Sequence, residues 1–413
     1  MTDNFEQNLQ KYAELVIKVG INVQPDQQLI LRAPVEAVPL ARNLATEAYK
    51  AGAKYVHVFF TDEVMTRIRY EYAPRDSFEF FPQWFADAMT EMAKEGAGVL
   101  SVRATDPELL KDQDPELISI TRKVAAQKMR TFAELLGKDF APWTVISAAA
   151  PAWANKVFAH LPEEERVPAL WDAIFHICRV DQPDPVAAWK THTESLVRRS
   201  AYMNEKQYVS LKYSGPGTDL TVGLPENHVW MGGYGKLPNG TTFTANIPTE
   251  EIFTLPHKNR VDGVVKATLP LNLNGNLVED FWFRFEAGKV VEVHAARGEE
   301  VMKKLLETDE GAVHLGEVAL VPQSSPIAQT GILFYNTLYD ENASCHLALG
   351  RAYRTSLAGG EHMSEEEFGA AGGNDSLIHV DFMIGAPEMD IDGVLADGST
   401  EPVFRQGEWA FEV

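Results

Sequence analysis

Cysteine is almost missing: Cys178 and Cys345 are the only two in 413 residues. Two are too few for a disulfide framework, and their spacing forms neither a C-x-x-C pair nor a thiolate zinc cluster. A reducing compartment suits such a chain. Basic charge is also short, with 37 Lys and Arg against 59 Asp and Glu and a formal net charge of −22. A phosphate backbone or an anionic membrane would therefore meet repulsion. No apolar stretch is long enough to span a bilayer, and the start Met-Thr-Asp-Asn-Phe-Glu-Gln-Asn has neither a basic nor an apolar leader segment. These absences predict a cytoplasmic protein with no nucleic-acid and no membrane partner.

Motifs are missing too. No G-x-G-x-x-G opens the first helix after the first strand, no G-x-x-x-x-G-K-[ST] occurs, and no G-x-S-x-G elbow is present. A nucleotide site and a serine-hydrolase elbow are thereby disfavoured.

What is present divides into two textures. Phe5, Leu9, Tyr12, Val16 and Val19 are spaced by alternating fours and threes, an amphipathic helix with Gly20 at its end. Strand-like Leu29-Ile30-Leu31, a helical pattern around Leu40, Leu44 and Ala48, and strand-like Tyr55 to Phe60 make a β-α-β unit. The alternation continues with helices over 84–94 and 115–136 and strands over 99–102 and 143–147. Short apolar strands between helices predict an α/β N-terminal domain, residues 1–206, with a mostly parallel sheet. Beyond residue 207 alternating strands and tight turns predict an α+β C-terminal domain, 207–413, largely antiparallel. Its hairpin signals include Asn274-Gly275 and Glu286-Ala287-Gly288-Lys289, and one helix is expected over 299–306.

Metal-ligand residue types concentrate in four segments of that second half: Pro248-Thr249-Glu250-Glu251, His314-Leu315-Gly316-Glu317, Glu341 to His346, and Ile378-His379-Val380-Asp381. On a strand His379 and Asp381, two apart, share a face, so imidazole and carboxylate converge. Glu317 precedes an apolar run, where an unpartnered carboxylate is costly. Read alone, Glu250 is equally a solvated turn residue, and single histidines are more often satisfied polar groups than ligands. Mixed oxygen and nitrogen donors suit Zn, Mn or Co, and a carboxylate-rich cluster suits a pair of divalent ions. The same donors would also serve an amidase or phosphoesterase, or a ligand-binding protein stabilised by a metal.

Taken together, Asn246-Ile-Pro-Thr-Glu-Glu-Ile-Phe-Thr254, the His-Leu-Gly-Glu segment, Glu341 to Tyr353, Ile-His379-Val-Asp381-Phe-Met-Ile-Gly and the ending Asp-Gly-Ser-Thr-Glu-Pro-Val-Phe resemble the thermophilic aminopeptidase family of the aminopeptidase T and S type. The resemblance runs the whole length. It implies a metal-dependent aminopeptidase acting on peptides with a free N-terminus. It implies metal ligands at Glu250, Glu317, Glu341, His346, His379 and Asp381, with Tyr353 as a catalytic hydroxyl. Asp340, next to Glu341, is an alternative ligand. Glu317 is the expected central catalytic carboxylate, either bridging two Zn, Co or Mn ions or accepting a proton from the water. Glu251 is a candidate for binding the substrate's α-amino group. The family also implies a homodimer whose N-terminal domain shapes access and dimer contacts.

Overall fold

In the computed structural model, residues 3–104, 106–273 and 276–413 are described. Two units are distinguished: Met1–Thr191 with Tyr234–Pro248, and His192–Gly233 with Thr249–Val413. The division falls inside the helix Pro185–Lys206 rather than at the expected 206/207. Residues 234–248 return to the first unit for a physical reason. Ala245 and Ile247 hydrogen-bond to Val145 and so cover an edge strand that would otherwise leave its ladder unpaired.

In the first unit, strands β1 (Gln28–Pro34), β2 (Tyr55–Thr61), β3 (Gly98–Arg103) and β4 (Trp143–Ser147) form a parallel sheet in the order β2-β1-β3-β4. Central β1 buries Leu29, Ile30, Leu31 and Ala33, as a strand covered on both faces requires. The apolar run of β2 lies instead at an edge, where Tyr55, Val58 and Phe60 are exposed. The first helix does not stop at Gly20. It passes into a π-helical turn, Val16–Ile21, and closes at Asn22 with φ 53°. Gly20 serves close packing, since a Cβ there would lie 3.2 Å from Thr144 Oγ1. The single helix expected over 115–136 is two, Pro115–Lys128 and Arg130–Gly137, and no residue at the junction marks the break.

The second unit is antiparallel, as expected, and contains the helix Glu299–Leu306. The turn at Ala287-Gly288 has φ 46° and 82°, the signature of a two-residue hairpin between Asn276–Glu286 and Lys289–Arg297. The hairpin expected at Asn274-Gly275 lies outside the described residues. A large sheet around Asn276–Glu286 packs against a five-stranded sheet through Phe281, Phe283 and Phe382, with the Phe283 and Phe382 rings 5.1 Å apart. Burying such side chains contributes about 1.5–3 kcal/mol each. Among the described residues no helix is long and apolar enough to cross a membrane.

The five-stranded sheet positions the site. Its strands β5 (Ile252–Thr254), β6 (Leu315–Leu320), β7 (His346–Gly350) and β8 (His379–Met383) run side by side in the order β8-β7-β6-β5, with Met231–Gly232 beyond β5. Ile252, Val318, Leu347 and Phe382 point into the core, so their neighbours must point the other way.

Candidate metal centre

A one-residue irregularity in β6 decides where Glu317 goes. Leu315 pairs with Leu349, yet Glu317 pairs with Ala348, so the register shifts across Gly316. Without that bulge Leu315 and Glu317 would share a face. With it Leu315 joins the core and Glu317 joins the opposite face. Glycine is required there because a Cβ at Gly316 would lie 2.3 Å from the Gly350 carbonyl oxygen and 2.5 Å from that of Arg351. Gly316→Ala is expected to destabilise the protein by about 1–3 kcal/mol, the range for overpacking a well-packed position. Urea unfolding measures it, and a loss under about 0.5 kcal/mol, the ordinary surface range, would refute the requirement.

Register then assembles the other side chains. Glu317, Ala348 and Asp381 are directly opposed across three strands, and Gly350 opposes His379. His346 lies two residues from Ala348. Ala348, the small residue among them, leaves the middle of this face to the side chains of Glu317, His346, His379 and Asp381.

The two histidines are oriented alike. His346 Nδ1 donates to the Ser344 carbonyl at 3.1 Å and His379 Nδ1 to that of Arg351 at 2.7 Å. Each Nε2 is thereby turned into the site. His346 Nε2 lies 3.1 Å from Glu251 Oε2 and 3.5 Å from Glu317 Oε1. His379 Nε2 lies 3.4 Å from Asp381 Oδ1 and 3.7 Å from Glu317 Oε2. Two donor triads result, Glu251 with Glu317 and His346, and Glu317 with His379 and Asp381; within each, one ligand atom per residue lies within 4.8 Å of the others.

Glu250, expected as a ligand, belongs to neither triad. Its carboxylate lies 3.5 Å from His192 Nε2, and its N–H donates to the buried Asn342 side chain at 2.7 Å. Strand alternation sets Glu250 and Glu251 on different faces. Ile252 faces the core and Phe253 the site, so stepping back two residues from Phe253 brings Glu251, not Glu250, to the site face. Asp340 and Glu341 have different surroundings. Asp340 accepts the N–H groups of Phe334 and Asn336 at 2.8 and 2.9 Å, clamping its own turn. Glu341 faces the cluster, where burial and then the Asp381 and Glu251 charges raise its pKa well above the carboxylate range.

The Tyr353 ring is 5.1 Å from the His379 ring and 6.0 Å from Phe253, and the residue is 46% exposed. His314 donates or accepts only away from the cluster, with Nδ1 2.7 Å from the Lys258 carbonyl. Cys345 is buried, and its thiol lies against the Val321 backbone. The Ser344 and Arg351 carbonyls are parts that sequence reasoning missed, since backbone acceptors leave no residue-type signal.

Electrostatics identifies what the cluster needs. Burial raises the Glu317 pKa against the pull of His346. Burial lowers His379, but Asp381 and Glu317 outweigh it and push it up to about 9. His346 is likewise lowered by burial and carried well above its usual range by Glu251 and Glu317. Glu251 Oε2 is buried without a properly oriented hydrogen bond. Four carboxyl groups around two imidazoles, each with an inward nitrogen, form an excess of acceptors that divalent cations fit.

Residues 5–409 match the family described as thermophilic metalloprotease (M29). Aminopeptidase 2 of Geobacillus stearothermophilus is 50% identical, over 100% of both chains. Aminopeptidase T of Thermus aquaticus is 47% identical over 98% of this chain and 99% of its own. The solved structure of wild-type AmpT from Thermus thermophilus has a TM-score of 0.93 and 45% identity, covering 98% of this chain and 100% of that one. Family model, full-length identity and shared structure agree with the resemblance carried by the motifs, and the chain belongs to the thermophilic metalloprotease family.

Proposed function

We propose that this metal-dependent aminopeptidase releases N-terminal residues from short peptides with two divalent ions bound over the five-stranded sheet. Glu251, Glu317 and His346 would hold one ion, Glu317, His379 and Asp381 the other, and Glu341 would complete the carboxylate set. The observation that carries this reading is the position of Glu317, with one oxygen toward each imidazole. Glu250, the earlier candidate, supports the loop through Asn342 and His192 instead.

When bound, such ions lower the pKa of a coordinated water toward about 7 and polarise a carbonyl oxygen. The chain's own residues do the rest. The Ser344 and Arg351 carbonyls fix the imidazole tautomers with Nε2 inward. Although the residue as a whole is part exposed, its hydroxyl end is buried, and that burial, then the charges of Glu317, Asp381 and Glu341, raise the Tyr353 pKa above the ordinary phenol value. Its hydroxyl stays a donor at neutral pH and would stabilise an oxyanion, an effect of about 2.7–4 kcal/mol for single donors.

The test combines composition with specificity. Elemental analysis of dialysed protein is expected to find two Zn, Co or Mn ions per chain, and the protein to cleave an unblocked peptide but not its N-acetyl twin. One ion per chain would remove the two-metal reading. Cleavage of the blocked peptide would redirect the assignment toward an amidase.

The proposed assembly is a cytoplasmic homodimer. Its support is the apolar surface on the first unit, where Val64, Met65, Ile68 and Tyr72 of the helix Glu63–Tyr72 are exposed, as are Val58 and Phe60 of β2. Several exposed apolar side chains on one helix suit burial against a partner. The two free, buried cysteines accord with a reducing compartment. Ile68→Glu is expected to shift light scattering from dimer to monomer, whereas a wild-type monomer at micromolar concentration would exclude this assembly.

A further inference from the structure

The parallel sheet of the first unit carries two arginines that its own residues leave uncompensated. Arg32 on β1 is half-buried, and Arg103, which ends β3, is exposed. Arg32 is level with Ser101, and Arg103 lies two residues beyond Ser101, so both arginines occupy one face. Ser147 on β4 stands beside Arg103 in the register. Among the described residues neither guanidinium has a hydrogen bond or a carboxylate partner. Burial first, and then the Arg103 charge, lowers the Arg32 pKa. The Ser147 side chain is fully buried, and its Oγ has no hydrogen-bond partner.

Their position has a topological meaning. The sheet order is β2-β1-β3-β4, so the connection leaving β1 turns one way to β2 and the connection leaving β3 turns the other way to β4. Between the carboxyl ends of β1 and β3 the chain direction switches, and in open parallel sheets ligands bind in the crevice formed there. Arg32 and Arg103 flank this switch point. A pair of like charges, one of them half-buried, costs free energy unless a bound anion offsets it.

We propose that Arg32, Arg103 and Ser147 form a binding site for a small carboxylate, separate from the metal centre. Two planar guanidinium forks and a hydroxyl match the two oxygens of a carboxylate. A phosphate at such a switch point is ordinarily cradled by backbone N–H groups of a glycine-rich loop. Here β1 runs into Ala33-Pro34-Val35-Glu36, which contains no glycine and has a proline without an N–H.

The test is titration of the metal-loaded protein with sodium succinate and, separately, inorganic phosphate, read by calorimetry. Succinate is expected to bind wild-type protein, and Arg32→Gln or Arg103→Gln to weaken that binding by at least about tenfold, while Glu317→Gln retains it. The arginine variants lose no intramolecular partner, so their unfolding temperatures should not fall. In unaltered protein, succinate should shift the Nε–H resonances of two arginines, a readout independent of any variant. Succinate binding indifferent to both arginine changes, or none in wild type, overturns the site. Arginine-dependent phosphate binding without succinate binding overturns the carboxylate assignment.

Discussion

Glu317→Gln is expected to lower turnover on an unblocked peptide by roughly a thousandfold, the upper range for removal of a single preorganised group at a reacting centre. The side chain is nearly isosteric, so packing against Ala348 is preserved. What changes is charge and acceptor capacity: the amide replaces one acceptor oxygen by a donor nitrogen, which faces His346 or His379 with the wrong polarity. Metal content per chain should fall along with turnover. Stability of the metal-free variant should not fall, because one of four clustered carboxyl groups has been neutralised and like-charge repulsion declines. Near wild-type turnover with full metal content would end the assignment of Glu317 as the shared ligand. Unfolding of the metal-free variant would show that the carboxylate is structural.

Complete chelation should abolish hydrolysis, and it should also reverse the pH dependence of stability. In the metal-free protein His379 has its pKa pushed up to about 9, above its ordinary 6.5, so its contribution is full below 6.5 and is lost as pH rises through about 9. Glu317 and Glu341, raised chiefly by burial, act in the same direction. Their folded forms hold protons that the unfolded chain releases above 4.5, so stability falls as pH rises past that value. With metal bound the order inverts, since protons compete with the ion for the same imidazoles and carboxylates at low pH. Thermal unfolding from pH 6 to pH 9 should therefore show a falling midpoint for chelated protein and a level or rising one for loaded protein. Parallel curves, or activity surviving verified metal removal, would contradict the cluster's role.

The sequence was most readable where one period governs. His379 and Asp381 meet because a strand repeats every two residues, and the hairpin at Ala287-Gly288 follows from its turn residues. Glu317 was recognisable as a carboxylate at the head of an apolar strand, but the bulge that aims it was not, since Gly316 announces a close approach without naming the partner. Glu250 and Glu251 are adjacent and identical in type, and only the phase of β5 brings the second of them beside His346. Tyr55 to Phe60 reads as a buried strand because apolar residues look alike whether a core or another surface covers them. The interruption between Lys128 and Arg130 has no local cause in residue type.

Ala348 has a consequence beyond leaving room. It stands on the strand between those bearing Glu317 and Asp381, so those two backbones are separated by two strand spacings, about 10 Å at roughly 4.7–4.9 Å each. The sheet thus acts as a ruler whose graduations are backbone hydrogen bonds. A longer Glu reaching in from one side and a shorter Asp from the other divide a fixed span between them. Donor separations inherit the regularity of the ladder and depend little on rotamer choice at the rim. Substitutions that leave the ladder intact can vary the surroundings of the centre without rescaling it, whereas a single added methyl at Gly316, pressed against two backbone carbonyls, alters the scale itself.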